Sequence, residues 1–142
     1  MIISIEQPSE ADLDIIHGFL TESYWAPGIP RAVVARAAAH SICAIARNDD
    51  GALVGYARVV SDRTTFAWVA DVMVLPEQRG KGIARDLVRA LRAHPELQGL
   101  RRWLLATRDA HGVYAPVGFA PLSAPERFME IRIAAPYGRP SL

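Results

Sequence analysis

Residues 70–93 read A-D-V-M-V-L-P-E-Q-R-G-K-G-I-A-R-D-L-V-R-A-L-R-A, and few folds accommodate such a stretch. Val72, Met73, Val74 and Leu75 form a short apolar run rich in branched side chains, stopped by Pro76, which predicts a strand. Ile83, Leu87, Val88 and Leu91 then recur at helical spacing, with Arg85, Asp86, Arg89 and Arg92 on the opposite face. His94-Pro95 ends that helix, because the residue before a proline is pushed out of the helical region. Between strand and helix lies Gln78-Arg79-Gly80-Lys81-Gly82. Its glycines carry no Cβ to block an approaching ligand, and the helix start leaves N–H donors without partners. With the positive end of the helix dipole and the charges of Arg79 and Lys81, the loop is suited to a phosphate or pyrophosphate.

Two better-known phosphate loops are excluded by single residues. A Walker A loop needs Ser or Thr after its Gly-Lys to hold magnesium, and Gly82 stands there. A dinucleotide fingerprint needs a small residue three positions after its second glycine, where this chain has Arg85. The expected ligand bears a phosphate and needs no metal at the loop.

The rest of the 142-residue chain supplies strands and helices for one domain, 1–142. Half its residues are apolar, yet no run approaches the roughly 18 residues of a membrane span. Met1–Glu6 lacks the basic region and cleavage site of a signal peptide and reads as a strand, so a cytoplasmic location is expected. A lone cysteine, Cys43 in an apolar run, reads as a small core residue. The net charge of +1 gives no reason to expect nucleic acid. Of sixteen basic residues, only Lys81 is a lysine.

Ser9 caps a helix whose buried face is Leu13, Ile16, Phe19 and Leu20, with Asp12 completing a capping box. A loop over Thr21–Pro30 carries Tyr24 and Trp25, which suit either a binding surface or packing beneath the loop. A second helix is expected from Arg31 to about His40. Ser41–Arg47, Leu53–Ser61 and Phe66–Leu75 are then antiparallel strands, the first two joined by the hairpin turn Asn48–Gly51. Trp103–Thr107 is the next strand, and a right-handed crossover makes it parallel to the strand that feeds the loop. The loop after Thr107 therefore lies beside the loop at Arg79, and a ligand between them touches both. In it, Asp109 is expected to cap a short helix, His111 and Tyr114 share one face, and Pro116 cuts the helix short. Further strands are expected at Phe119–Leu122 and Phe128–Ile133, and a loose tail over Pro136–Leu142. The fold class is α+β, a mostly antiparallel sheet flanked by helices.

Val74-Leu75-Pro76-Glu77-Gln78-Arg79-Gly80-Lys81-Gly82-Ile83-Ala84 resembles the acyl-CoA pyrophosphate motif of the GNAT superfamily of N-acetyltransferases, Q/R-x-x-G-x-G/A after a strand. Tyr114-Ala115-Pro116-Val117-Gly118-Phe119 resembles its second signature, Y-x-x-x-G-F. The strings Y-W-A-P-G-I-P, A-R-V-V-S-D and T-R-D-A-H are similar to a bacterial GNAT subgroup with mostly unassigned acceptors. The resemblance implies a parallel strand pair that splays, with the pantetheine arm of acetyl-CoA along the backbone of Val72, Met73 and Val74. It implies pyrophosphate binding by the amides of Arg79, Gly80, Lys81, Gly82, Ile83 and Ala84, with Asp109 nearby, and direct transfer to an amine of a small molecule or peptide. Asp109 stands where many relatives carry asparagine, and Pro116 where a helix-friendly residue is usual.

Tyr114 matches the family tyrosine that protonates the departing thiolate, and a phenol suits that role. From residues alone it equally suits packing a short helix. An amine acceptor must lose a proton before it attacks, and Asp71 near the splay is the best-placed carboxylate; it also suits accepting backbone N–H groups. His111 is open to either role, base or contact with acceptor or cofactor, and Tyr24 and Trp25 would line the acceptor pocket. No histidine has metal-ligand spacing, so no metal is expected. A non-catalytic acyl-CoA-binding module is the alternative, disfavoured by Tyr114. A nucleotide-binding domain is disfavoured by Arg85. Many relatives are dimers, and nothing in this sequence decides the oligomeric state.

Overall fold

The computed structural model describes residues 1–139. Its elements are β1 (Ile2–Ile5), α1 (Glu10–Leu20), α2 (Arg31–Ala39), β2 (Ile42–Arg47), β3 (Leu53–Ser61), β4 (Phe66–Val74), α3 (Ile83–Arg92), β5 (Arg102–Leu104) and α4 (His111–Tyr114). The five strands form one sheet in chain order, antiparallel except for the parallel pair β4–β5. The expected mixed, mostly antiparallel sheet flanked by helices is the fold. Among the described residues no helix is long and apolar enough to cross a membrane.

Both faces of the sheet are covered, which explains why β2 reads as a continuous apolar run rather than an alternating one. Ile42, Ala44 and Ala46 face α3 with Val59, Ala67 and Val69, against Ile83, Leu87, Val88 and Leu91. Cys43 and Ile45 face the other way with Tyr56 and Met73, beneath Leu13, Ile16 and Leu20 of α1 and Val34 and Ala38 of α2. Gly55 sets how closely α3 approaches: a Cβ there would come within 3.0 Å of Ile83 Cγ2 and 3.2 Å of Leu87 Cδ1. The helix start is thereby held against the end of β4.

The capping box forms as expected: the Ser9 hydroxyl accepts from the Asp12 N–H at 3.1 Å, and Asp12 Oδ2 accepts from the Ser9 N–H at 3.0 Å. Asp12 is also buried against Arg47, whose Nη2 donates to Oδ2 at 2.7 Å and whose Nη1 donates to Oδ1 at 2.9 Å; this guanidinium holds its carboxyl below the ordinary range. One fork thus ties α1 to the end of β2. In the hairpin, Asn48 Oδ1 accepts from the Asp50 and Ala52 N–H groups, both at 3.0 Å.

After β5 the chain departs from expectation. β5 ends at Leu104 rather than Thr107, because it pairs with β4 only from Phe66↔Arg102 to Trp68↔Leu104. Neither Phe119–Leu122 nor Phe128–Ile133 is a strand. Strand propensity is realised only beside a partner, and among the described residues neither stretch is paired into the sheet. Met129, Ile131 and Ile133 are 98%, 95% and 64% exposed. Pro116 does limit α4 to one turn, followed by a 3₁₀ turn over Ala115–Val117. Asp109 does not cap α4: the N-cap is Ala110, whose N–H donates to Thr107 Oγ1 at 3.1 Å, while Asp109 faces Arg108. The tail is docked as far as it is described, with Tyr137 against the α1–α2 side of the core and Arg139 paired with Glu22 at 3.3 Å. Residues 140–142 lie outside the described residues.

Candidate active site

Parallel pairing that stops at Trp68 and Leu104 leaves the following residues of β4 and β5 unpaired with each other, and two adjoining clefts open there. A bulge in β4 contributes. Tyr56 faces Met73 and Arg58 faces Ala70, so Ala57 alone opposes both Asp71 and Val72. An extra residue bends a strand and raises its twist. Here it puts Asp71 in the left-handed region at φ 53°, a costly place for a side-chain-bearing residue.

The Asp71 side chain secures that conformation. Arg58 Nε donates to Oδ2 at 2.6 Å, and Trp25 Nε1 donates to Oδ1 at 3.0 Å. Arg58 and Asp71 are both largely buried, where an unpaired charge would be costly. Arg58 is not among the residues expected at the site, although a charged residue inside the apolar run of β3 is a usable signal that a buried partner exists. Tyr24 and Trp25 pack edge to face with centroids 5.0 Å apart, and the Arg108 guanidinium lies 4.0 Å from the Tyr24 ring. These groups, with Trp68 and Tyr137, line a cleft of about 580 Å³.

Beside it lies a cleft of about 620 Å³ lined by Val72, Met73, Val74, Arg79, Gly80, Gly82, Ile83, Ala84 and Asp109. Apart from Lys81, the candidate cofactor-binding residues thus share one wall system. Lys81 is turned aside, its Nζ donating to Gln78 Oε1 at 2.9 Å. Gly82 is the N-cap of α3 at φ 77°, so it has no side chain to satisfy the helix start. The first helical bond runs from the Asp86 N–H to the Gly82 carbonyl at 3.0 Å, which leaves the amides of Ile83, Ala84 and Arg85 without helical partners.

Periodicity puts Arg85 simply on the polar face of α3. Its guanidinium instead folds back over Gly82, where a Cβ would meet Nη2 at 2.5 Å. Arg85 Nε is buried without a hydrogen-bond partner; the Asp86 carboxylate is 3.6 Å away. Free amides, a dipole end, an orphaned guanidinium N–H and the nearby Arg79 are a donor set with no acceptor among them. They fit a diphosphate. Phe19 lines the same cleft, with the Arg79 guanidinium 5.9 Å from its ring.

Trp25, Val72, Asp109, Ala110 and Tyr114 line both clefts, so these residues mark the junction. Tyr114 packs edge to face on Phe119, centroids 6.2 Å apart. Burial, with a smaller contribution from Tyr24, pushes its phenol up to about 12, so it carries its proton throughout the ordinary pH range. His111 lines neither cleft; it lies on the outer side of β5. The structure therefore brings Tyr114, Asp71, Tyr24 and Trp25 around one opening and leaves His111 outside it.

Comparison with known proteins agrees with this geometry. The model of the acetyltransferase (GNAT) family matches residues 7–119. The crystal structure of a GNAT-family protein from Xanthomonas campestris pv. campestris is 44% identical, with a TM-score of 0.88, over 98% of this chain and 99% of that one. An aminoglycoside N-acetyltransferase solved in complex with CoA is 21% identical with a TM-score of 0.67, over 93% of this chain and 95% of that one. A 59-residue stretch is 41% identical to a Gibberella zeae protein described as an acetyltransferase, covering 39% of this chain and 32% of that protein. A glycine-opened helix start beside a splayed parallel pair, with a family match over most of the chain, leads to one conclusion: this chain belongs to the GNAT family and is an acetyltransferase.

Proposed function

We propose that the protein transfers the acetyl group of acetyl-CoA directly to a primary amine of a small molecule or peptide, with residues 1–142 acting as one catalytic domain in the cytoplasm. The observation that supports this reading most is the junction at Tyr114, where a diphosphate-suited cleft meets an aromatic one. In this reading the amides of Ile83, Ala84 and Arg85, with the Arg79 and Arg85 guanidinium groups, hold the pyrophosphate. The free edge of β4 over Val72–Val74 binds the pantetheine arm as a strand edge binds an extended peptide. Asp109, exposed at the junction, is a rim contact. Acetyl-CoA supplies a thioester already activated toward an amine, so the proposed reaction needs no metal.

Tyr114 holds a proton at its hydroxyl, available to the sulfur that leaves as thiolate. Tyr24 and Trp25 form the acceptor wall. Each Asp71 oxygen already accepts a hydrogen bond, one from Trp25 and one from Arg58. Its first role in this reading is to position that wall; each oxygen keeps a second lone pair through which it could also receive the amine proton. His111 has no part in the transfer.

The test is binding followed by turnover. Acetyl-CoA at about 100 times its Kd should stabilise the fold by roughly 2.7 kcal/mol, seen as a raised melting temperature, and acetate or pantetheine alone should do much less. Free CoA thiol should then be released when an amine panel is added. No thermal shift at millimolar acetyl-CoA would refute the cofactor assignment, and a shift without thiol release on any amine would refute the acceptor class.

A further inference from the structure

Four charged side chains line the cleft assigned above to the acceptor: Arg58, Asp71, Arg108 and Asp109. Arg58 and Asp71 neutralise each other as a largely buried pair, and each Asp71 oxygen already accepts a hydrogen bond. Arg108 stands differently. Its guanidinium lies 4.0 Å from the centroid of the Tyr24 ring, and its backbone N–H donates to the Tyr24 hydroxyl at 3.1 Å, so two contacts hold it against the α1–α2 loop. A guanidinium over a ring uses its face there and keeps its N–H edge for a planar anion. Among the described residues its one carboxylate partner is Asp109 at 3.5 Å, with the two side chains 56% and 66% exposed. So exposed a pair contributes little and yields readily to a ligand. Arg108 lines the aromatic cleft and not the diphosphate-suited one, which separates it from the cofactor set.

The other walls are flat and apolar. Ala67 and Val69 pack toward α3, so alternation along β4 turns Trp68 to the opposite face and into this cleft, beside Tyr24, Trp25 and Tyr137. Trp25 is 39% exposed, a bared ring inside a concave site. A polycation fits such a cleft poorly: both of its carboxylates already face a guanidinium, and Arg108 would repel it. A phosphate monoester fits poorly as well, because it brings nearly two negative charges to one available guanidinium. One carboxylate beside one flat apolar group matches both features.

We infer that the acceptor is an aromatic amino acid, its carboxylate held by Arg108, its ring against Trp25 and Trp68, and its amine directed to the junction at Tyr114. This rests on the acetyl-transfer reading above. The free amine nitrogen bonds to the acetyl carbonyl carbon and the C–S bond breaks. The sulfur takes the Tyr114 proton, and the proton lost by nitrogen returns to Tyr114 through water, giving an N-acetyl amino acid and free CoA.

The test uses the full chain with acetyl-CoA and matched acceptors: phenylalanine, tyrosine and tryptophan against phenylethylamine, tyramine and tryptamine, with spermidine as the polycation. At least one amino acid should exceed its decarboxylated amine by about tenfold or more in kcat/KM, the effect of one hydrogen bond between charged groups, and spermidine should be poorest. Arg108→Gln should bring that ratio near one by raising KM for the amino acid, with melting temperature and acetyl-CoA affinity unchanged. Arg108→Lys, which keeps the charge without the fork, should recover part of it. A wild-type ratio near one, a ratio that survives Arg108→Gln, or spermidine as the best acceptor overturns the proposal and leaves acetyl transfer standing. If no amine releases thiol, the transfer reading fails, and calorimetry on the CoA-loaded chain decides the site alone. Amino-acid binding that Arg108→Gln abolishes supports the carboxylate site; absence of binding overturns it.

Discussion

The two clefts that meet at Tyr114 are built from different materials. The diphosphate-suited cleft is mostly backbone: free amides at the start of α3, a left-handed Gly82 and the unpaired edge of β4. The aromatic cleft is mostly side chain: Tyr24 and Trp25 from the α1–α2 loop, Arg58 from β3 and Asp71 from the bulge of β4. A site made of main chain depends on local conformation, so its residues are close in sequence. A site made of side chains depends on elements that meet only after folding; Trp25 and Asp71 are forty-six positions apart. The first suits a ligand common to a whole family, and the second is free to vary with the acceptor.

The sharpest way to break this contrast is Gly82→Val. A β-branched residue at φ 77° is strained, and its side chain would press on Arg85, so the helix start must shift. Acetyl-CoA affinity should fall at least about 100-fold, or about 2.7 kcal/mol, while circular dichroism still reports a folded chain. Calorimetry showing near-normal affinity in a folded variant would mean that the loop does not hold the diphosphate.

Tyr114→Phe tests the junction. The ring and its packing on Phe119 are retained, so melting temperature and acetyl-CoA affinity should change little. Turnover should fall roughly 100-fold, the lower end of the range for a lost general acid, because a thiolate is a tolerable leaving group. Since burial raises the phenol to about 12, any loss of wild-type rate between pH 7 and 10 should persist in the variant. A lowered melting temperature with unchanged turnover would make Tyr114 a packing residue.

The smallest effect is expected from Asp71→Asn, which keeps the shape but removes the charge facing Arg58. Binding of acetyl-CoA, on the backbone side, should be unaffected. If Asp71 positions the wall, KM for the amine should rise about tenfold with a modest change in kcat; a base would instead lose about 100-fold or more in kcat. Steady-state kinetics with one accepted amine separates the two outcomes.

Several features are legible in the amino-acid sequence because each is decided within a few residues. The capping box at Ser9–Asp12, the Asn48–Gly51 turn, the strand–loop–helix of 72–92 and the short α4 before Pro116 all rest on local backbone preference. The parallel β4–β5 pair is legible from the handedness of the crossover. The departures after β5 are not legible, because pairing is not a local property. Phe119–Leu122 and Phe128–Ile133 have strand-like sequences, yet among the described residues neither is paired into the sheet. Asp109 is chemically a good cap, but Thr107 reaches the Ala110 N–H instead.

What the sequence determined by itself is the order of elements as far as α4, the anion-suited helix start and the family it marks, because these follow from side-chain periodicity and from where glycine and proline allow or forbid a backbone. Only the tertiary structure decided that Arg58 locks Asp71, that Arg85 folds over Gly82 rather than into solvent, that Lys81 turns away and that His111 faces the outer side of β5. Those outcomes are set by which charges share a buried space. Burial is a property of the assembled sheet and helices, not of any stretch of chain alone.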